Sequence, residues 1–340
     1  MDEPRTGKKL ILATKPFEQE RLGRSWFDLL STLVVYTACL AVVVATESIV
    51  VSAIAAVIAG LTHFRIFSLY HDHNHGSLLA NSPLGRRIMS ALGWHILSPR
   101  PVWKETHDFH HWHNGKIEWC AIGSYPVMTI EQFAKASPDK RREYLRARHP
   151  LTIIGGYISV AIRGFCIAAY RRAPKRHGGG PVALAIHVAT FVAAWWWLGL
   201  MTGVLVIIVP PFVGHMLAAY LFYVQHNFPE TKVYMRGEWD YVDAAVSGSS
   251  FLVMGPVMRW FTANIGYHHV HHLNATIPNY RLAEAMAAIP ELQHPNRTTM
   301  RPADVMACMR LKLWDPQAGC MQPLPAQFTG AAAATPDGDA

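Results

Sequence analysis

Hydrophobic and polar positions are unevenly divided along this 340-residue chain. Leu29 to Ala45 contains no Asp, Glu, Lys or Arg, and after a short break at Glu47 a second apolar run leads from Ser48 towards Tyr70. No ionised side chain of these four types occurs from His177 to Pro229. About 20 apolar residues cross a bilayer once. The pattern therefore predicts two transmembrane hairpins, with spans at about 26–46, 48–70, 181–200 and 203–225. Pro210 and Pro211 should kink the fourth span, which a membrane helix tolerates when neighbours satisfy the freed carbonyls. The first run starts at Leu29 and a second follows at once, so a cleavable signal peptide is not expected.

Leu151 to Tyr170 is also apolar, but it contains Gly155, Gly156 and Arg163. An arginine at mid-bilayer costs roughly 2.5 to 3.5 kcal/mol on insertion scales. A fifth crossing would also reverse the side of everything downstream, so this stretch reads as an interfacial helix, with Ile88 to Ser98 as a candidate second one.

Composition agrees with a membrane protein: 51% of residues are hydrophobic and only 16% charged. The formal charge of +8 would suit a nucleic-acid partner, but no nucleic-acid motif accompanies it. Topology explains it instead. Of 31 Lys and Arg, six precede Ser25, sixteen lie between His71 and Gly180, and eight follow Pro229, leaving Arg65 alone inside a span. By the positive-inside rule the N-terminus, the middle loop and the C-terminal region face the cytoplasm. The expected organisation is a cytoplasmic N-terminal segment at 1–25 and a single membrane domain at 26–317, whose cytoplasmic cap comprises 71–180 and 226–317. A tail at 318–340, rich in Ala, Pro and Gly, reads as disordered. The five cysteines show no paired spacing, which excludes a disulfide framework and a CxxC motif and fits a reducing compartment.

Candidate chemistry lies in the histidines. Of 19, most cluster in three groups: HDHNH at 71–75, HDFHH at 107–111 and HHVHH at 268–272. His71 and His75 are spaced i, i+4; His107, His110 and His111 are spaced i, i+3, i+4, and His268, His271 and His272 repeat that pattern. Such spacing puts two or three imidazoles on one helix face, a ready ligand array for iron, zinc, copper or nickel. His73, His113 and His269 fall off the shared faces. The isolated His63, His95, His149, His177, His187 and His294 read as caps or surface residues, and His215 as a satisfied polar group within a span.

These elements resemble the membrane fatty acid desaturases, a histidine-box superfamily. The resemblance rests on HxxxH in HDHNHGS, HxxHH in HDFHH, the segment FYVQHNF, and HxxHH in HHVHH followed by HL and IPNYRL. It also includes KPFEQERLGRSWFDLLSTL before the first span and covers roughly Lys15 to Leu292. In the first box His73 and Asn74 replace the Cys-Gly pair common in the family, bringing an extra imidazole near the site. The resemblance implies an all-α integral membrane protein with four transmembrane helices and a cytoplasmic cap carrying the boxes. It implies two iron ions held by His71, His75, His107, His110, His111, His268, His271 and His272, with His226 of FYVQHNF as a ninth ligand. It further implies O₂-dependent introduction of a cis double bond into a fatty acyl chain that is linked to a lipid, coenzyme A or acyl carrier protein, in a bacterial inner membrane.

No GxGxxG or flavin motif is present, and HGGG at His177 lacks the proline of the cytochrome b5 haem motif. Electrons would therefore come from elsewhere, and the resemblance implies a separate ferredoxin or cytochrome b5-type donor. The same boxes would also serve an acyl hydroxylase or a carotenoid oxygenase. A non-catalytic membrane metal-binding or transport protein is the alternative from another class, for which histidines within the spans would be the mark.

Overall fold

The computed structural model describes residues 4–118, 124–235 and 237–328. Its main helices are α1 (Leu22–Ala45), α2 (Ile49–His75), α3 (Pro83–His95), α4 (Arg100–His113), α5 (Gly179–Leu198), α6 (Leu200–His226) and α7 (His268–Leu273). Among the described residues, α1, α2, α5 and α6 are the four helices long and apolar enough to cross a membrane. Each lies within a few residues of its expected place. Both α2 and α6 run past the apolar stretch without a break, so their last turns carry His71, His75 and His226 beyond it as rigid extensions.

Local sequence explains where α2 begins and ends. The Ser48 hydroxyl accepts from the Val51 amide at the N-terminus, and Gly76 takes a left-handed conformation (φ +85°) just after His75. The helix packs against α1 on one side and α6 on the other. Small residues allow the close approach to α6: a Cβ on Gly60 would lie 2.4 Å from that of Val213, and one on Gly214 would lie 2.7 Å from the His63 ring.

Arg65, the one basic residue within a span, is fully partnered. Its guanidinium donates to Asp28 (3.1 Å) and Thr32 (2.8 Å) of α1 and to the Trp260 carbonyl, and it lies 4.5 Å from the Trp260 ring centroid. This ion pair ties the first hairpin to the cap. In α6 the expected proline disturbance is a change of winding: Val204–Ile208 forms i→i+5 turns, because Pro210 and Pro211 offer no N–H to the carbonyls of Val206 and Ile207.

The ambiguous stretch forms a short helix at Pro150–Ile154 and a wide-wound one at Tyr157–Ala168, which packs against α5 and α6. At Gly156 the contact is backbone to backbone, since a Cβ there would lie 2.4 Å from the His215 carbonyl oxygen. Ile88 to Ser98 is mostly the second half of α3.

The cap is also helical, with two small two-stranded sheets: Phe251–Val253 beside Arg297–Thr299, and Leu311–Asp315 beside Cys320–Pro323. The second sheet corrects the expected tail. Met321 buries beside Leu311 and Trp314, and a turn at Gly319 (φ +62°) closes the hairpin, so the fold continues beyond 318. The rest of that tail, from 329, and Cys120 lie outside the described residues. The N-terminal segment belongs to the cap as well: Leu10 packs with Val242 and Val270, and Arg5 pairs with Glu291 at 2.8 Å.

The Lys and Arg distribution, laid on these four helices, generates a topology test. Single cysteines placed at the exposed Glu47 and Gln317 of a Cys-free protein should label from opposite sides, Gln317 from the cytoplasm and Glu47 from outside. Labelling of both from one side would exclude the four-span arrangement.

Candidate metal centre

Four helix ends converge in the cap. The final turns of α2 present His71 and His75 on one face, α4 presents His107, His110 and His111, α7 presents His268, His271 and His272, and His226 is the last residue of α6. They sort into two groups. His71, His75, His107, His111 and His271 form one; His110, His226, His268 and His272 form the other. Within each group the candidate ligand nitrogens all lie within 4.8 Å of one another. The sequence neighbours His110 and His111 fall in different groups, as do His271 and His272.

The nitrogens face one another directly. In the group of four, the Nε2 of His226 lies 2.9 Å from that of His268 and 3.1 Å from that of His110, while His272 lies 3.1 Å from His268 and 3.3 Å from His110. In the group of five, His111 Nε2 lies 3.0 Å from His107 and 3.2 Å from His271. A neutral imidazole has one N–H and one lone pair. The Nδ1–H of His226 donates to the Gly248 carbonyl (3.0 Å) and that of His71 to Asp72 (3.0 Å), so each turns its Nε2 lone pair inwards. Inward lone pairs at such spacing repel unless a cation lies between them. Metal–imidazole bonds of about 2.0–2.1 Å place neighbouring ligand nitrogens about 3 Å apart, so the donor set fits a metal ion in each group.

Protonation states favour the same use. Burial, reinforced by neighbouring imidazoles, holds His107, His110, His111, His268, His271 and His272 well below the ordinary histidine value. At neutral pH they are uncharged, the form that binds metal. Both groups are imidazole-only. Such donors suit iron, copper, zinc or nickel rather than magnesium or calcium.

Further residues hold the rings and were not singled out from sequence. Asp72, between His71 and the Asn279 amide (3.0 Å), fixes the His71 tautomer. The buried Trp103 stacks on His107 at 4.4 Å, and Tyr241 donates to the His272 carbonyl at 2.8 Å. Only Asp72 left a local signal, as the acid inside the first box. The residues off the shared faces are turned to backbone carbonyls: His73 to Leu78 (2.9 Å), His113 to Phe109 (2.8 Å) and His269 to Leu292 (3.2 Å). His73 therefore adds no imidazole to either group, in keeping with its place off the shared face.

A family model described as "Fatty acid desaturase" matches residues 47–303. The chain belongs to that family. Similar proteins include a fatty acid desaturase of Bacillus subtilis, 28% identical over 317 residues, covering 91% of this chain and 88% of the relative. Two Synechocystis proteins also match. The sn-1 oleoyl-lipid 12-desaturase is 27% identical, covering 66% of this chain and 64% of the relative. The sn-1 acyl-lipid omega-3 desaturase (ferredoxin) is 26% identical, with coverage of 68% and 65%. The chain thus spans most of the Bacillus protein and just under two thirds of the Synechocystis ones. Membership makes it an oxidoreductase of a family that acts on fatty acyl lipids in membranes, and its four apolar helices agree with that.

The neutral histidines of this chain carry a pH signature. In the unfolded chain they take up protons near their ordinary value of about 6.5, whereas in the fold they stay neutral. The unfolded state then binds more protons below that pH, so stability falls as pH falls. The thermal midpoint of metal-free protein should drop progressively from about pH 7.5 to about pH 5.5 in a melting series. A flat profile would mean that these rings are not neutral in the fold.

Proposed function

We propose that the protein introduces a cis double bond into a fatty acyl chain, using O₂ at two iron ions held by His71, His75, His107, His111 and His271 on one side and by His110, His226, His268 and His272 on the other. The observation that carries this reading is the pair of adjoining imidazole-only groups in a membrane protein of the fatty acid desaturase family. In balance, –CH₂–CH₂– plus O₂, two electrons and two protons gives –CH=CH– and two waters. When bound, the iron pair supplies the redox chemistry that oxidises an unactivated methylene, which zinc lacks.

The chain's own residues hold and shield this chemistry. Asp72 and the Gly248 carbonyl keep protons on the outward nitrogens of His71 and His226, leaving Nε2 free. Trp103 closes one side of the five-histidine group with an apolar ring. The acyl group comes from the bilayer on a membrane lipid, in keeping with the names of the Synechocystis relatives. Electrons come from a separate donor of the ferredoxin type, which one of those names carries, docking on the cap at the cytoplasmic face of a bacterial inner membrane.

Expression in a desaturase-deficient bacterium, with double bonds located by mass spectrometry, tests the reaction. His271→Ala and His226→Ala should each abolish the new double bond and lower bound iron, while His269→Ala should retain activity and full iron, because losing a metal ligand costs more than the ~10- to 100-fold typical of supporting contacts. Two irons and near-normal turnover in His226→Ala would remove it from the ligand set. The same result in His271→Ala would remove the diiron reading. Purified protein should be inactive with NADPH alone and active once ferredoxin and its reductase are added.

A further inference from the structure

A second set of histidines meets inside the membrane-spanning layer, apart from the boxes. His63 of α2, His95 at the end of α3, His187 of α5 and His215 of α6 each come from a different helix. The His63 ring centroid lies 5.4 Å from that of His95 and 5.5 Å from that of His215. His63, His95 and His187 line a cavity of about 60 Å³ together with Tyr36, Trp94 and Thr190. Along α2, His63 precedes His71 by eight residues, about 12 Å of helix, so this tetrad lies below the box groups rather than among them.

The hydrogen bonding in the tetrad is incomplete in an ordered way. His95 Nε2 is bonded to the Tyr36 hydroxyl (3.0 Å) and His187 Nε2 to the Tyr157 hydroxyl (2.5 Å), so a neighbour fixes one nitrogen of each ring. His215 is bonded to the Ile96 backbone, yet its Nε2 is buried with no partner. His63, only 1% exposed, has no partner at either nitrogen among the described residues. Polar atoms buried without partners are costly, most of all inside a membrane. Here the His63 ring faces a cavity large enough for an ion or for one or two waters, and His215 packs edge-on against His63 beside it. One nitrogen fixed by a neighbour and the other left open is the arrangement of metal-binding histidines.

We propose that His63, His95, His187 and His215 bind a single first-row transition-metal ion of the zinc, copper and nickel group, distinct from the iron pair. Among the described residues no carboxylate or thiolate lines the cavity, so its donors select against magnesium and calcium. The nitrogens are set wider than in the box groups, which alone among the described residues have all ligand nitrogens within 4.8 Å. Binding therefore draws the rings inwards, and with one ligand on each of four helices the ion pins α2, α3, α5 and α6 to one another.

The test is a metal count on the full-length chain in detergent, stripped with a chelator and reloaded with Zn²⁺. Wild-type protein should take up three equivalents, and the double variant His63→Ala/His215→Ala should take up two. Zn²⁺ should raise the thermal midpoint of wild-type protein more than that of the double variant, whose box groups are intact. Co²⁺ should give wild-type protein a stronger visible absorption of tetrahedral nitrogen-ligated ions than the double variant, and His95→Gln, a milder change, should also weaken it. The Zn²⁺ count of the unmutated chain stands whatever the folding of the variants. Uptake of only two equivalents by wild-type protein, or an equal count in the double variant, would overturn the site and leave a tetrad bridged by water. The box reading is judged separately, by iron and product in His271→Ala.

Discussion

Nine imidazoles gather in two groups, seven of them with nitrogens about 3 Å from another's, and most other features of the cap serve to hold them there. Left alone, such an arrangement is unstable, because lone pairs repel and buried N–H groups lack acceptors. Proteins form it when a cation resolves the conflict or when the surroundings over-determine the geometry. This fold supplies the second condition through four helix ends, three of them braced from outside. Asp72 joins α2 to the Asn279 loop, Gly248 holds the end of α6, and Tyr241 holds α7. The guanidinium of Arg65, shared among Asp28, Thr32 and Trp260, fastens the first hairpin to the segment that precedes α7.

The same constraint governs polar groups in the membrane layer, where water is absent and each must find a partner in the protein. Arg65 does so completely. The tetrad around His63 does so only in part, and this contrast between two buried polar sites of one bundle sets it apart. The prolines of α6 are accommodated by wider winding, so the helix still delivers His226 to the cap, where it meets His110 of α4.

Much of this was legible along the chain because the signals are local. Ionisable residues are missing from the spans, and i, i+3, i+4 spacing puts the box histidines on shared helix faces. Features that depend on partners distant in sequence were not legible. His226 stands in no periodic pattern and was reached through family resemblance; only the fold brings it to His110 and His268. The tetrad was invisible for the same reason, since four single histidines on four helices have no spacing to reveal them. The hairpin at Cys320–Pro323 was hidden by composition, being a four-residue strand in a stretch rich in small residues.

The division of neighbouring histidines between the two groups has a mechanical consequence. His110 and His111 are joined by one peptide unit, and so are His271 and His272, which fixes their Cα atoms about 3.8 Å apart. Two such rigid links, on helices from distant parts of the chain, act as a ruler across the centre. The distance between the groups cannot be tuned by shifting a loop or sliding a helix, because both groups would move together. Inserting a single residue into either helix would rotate the residues beyond it by about 100° and break the ruler, whereas the loops around them are free to lengthen.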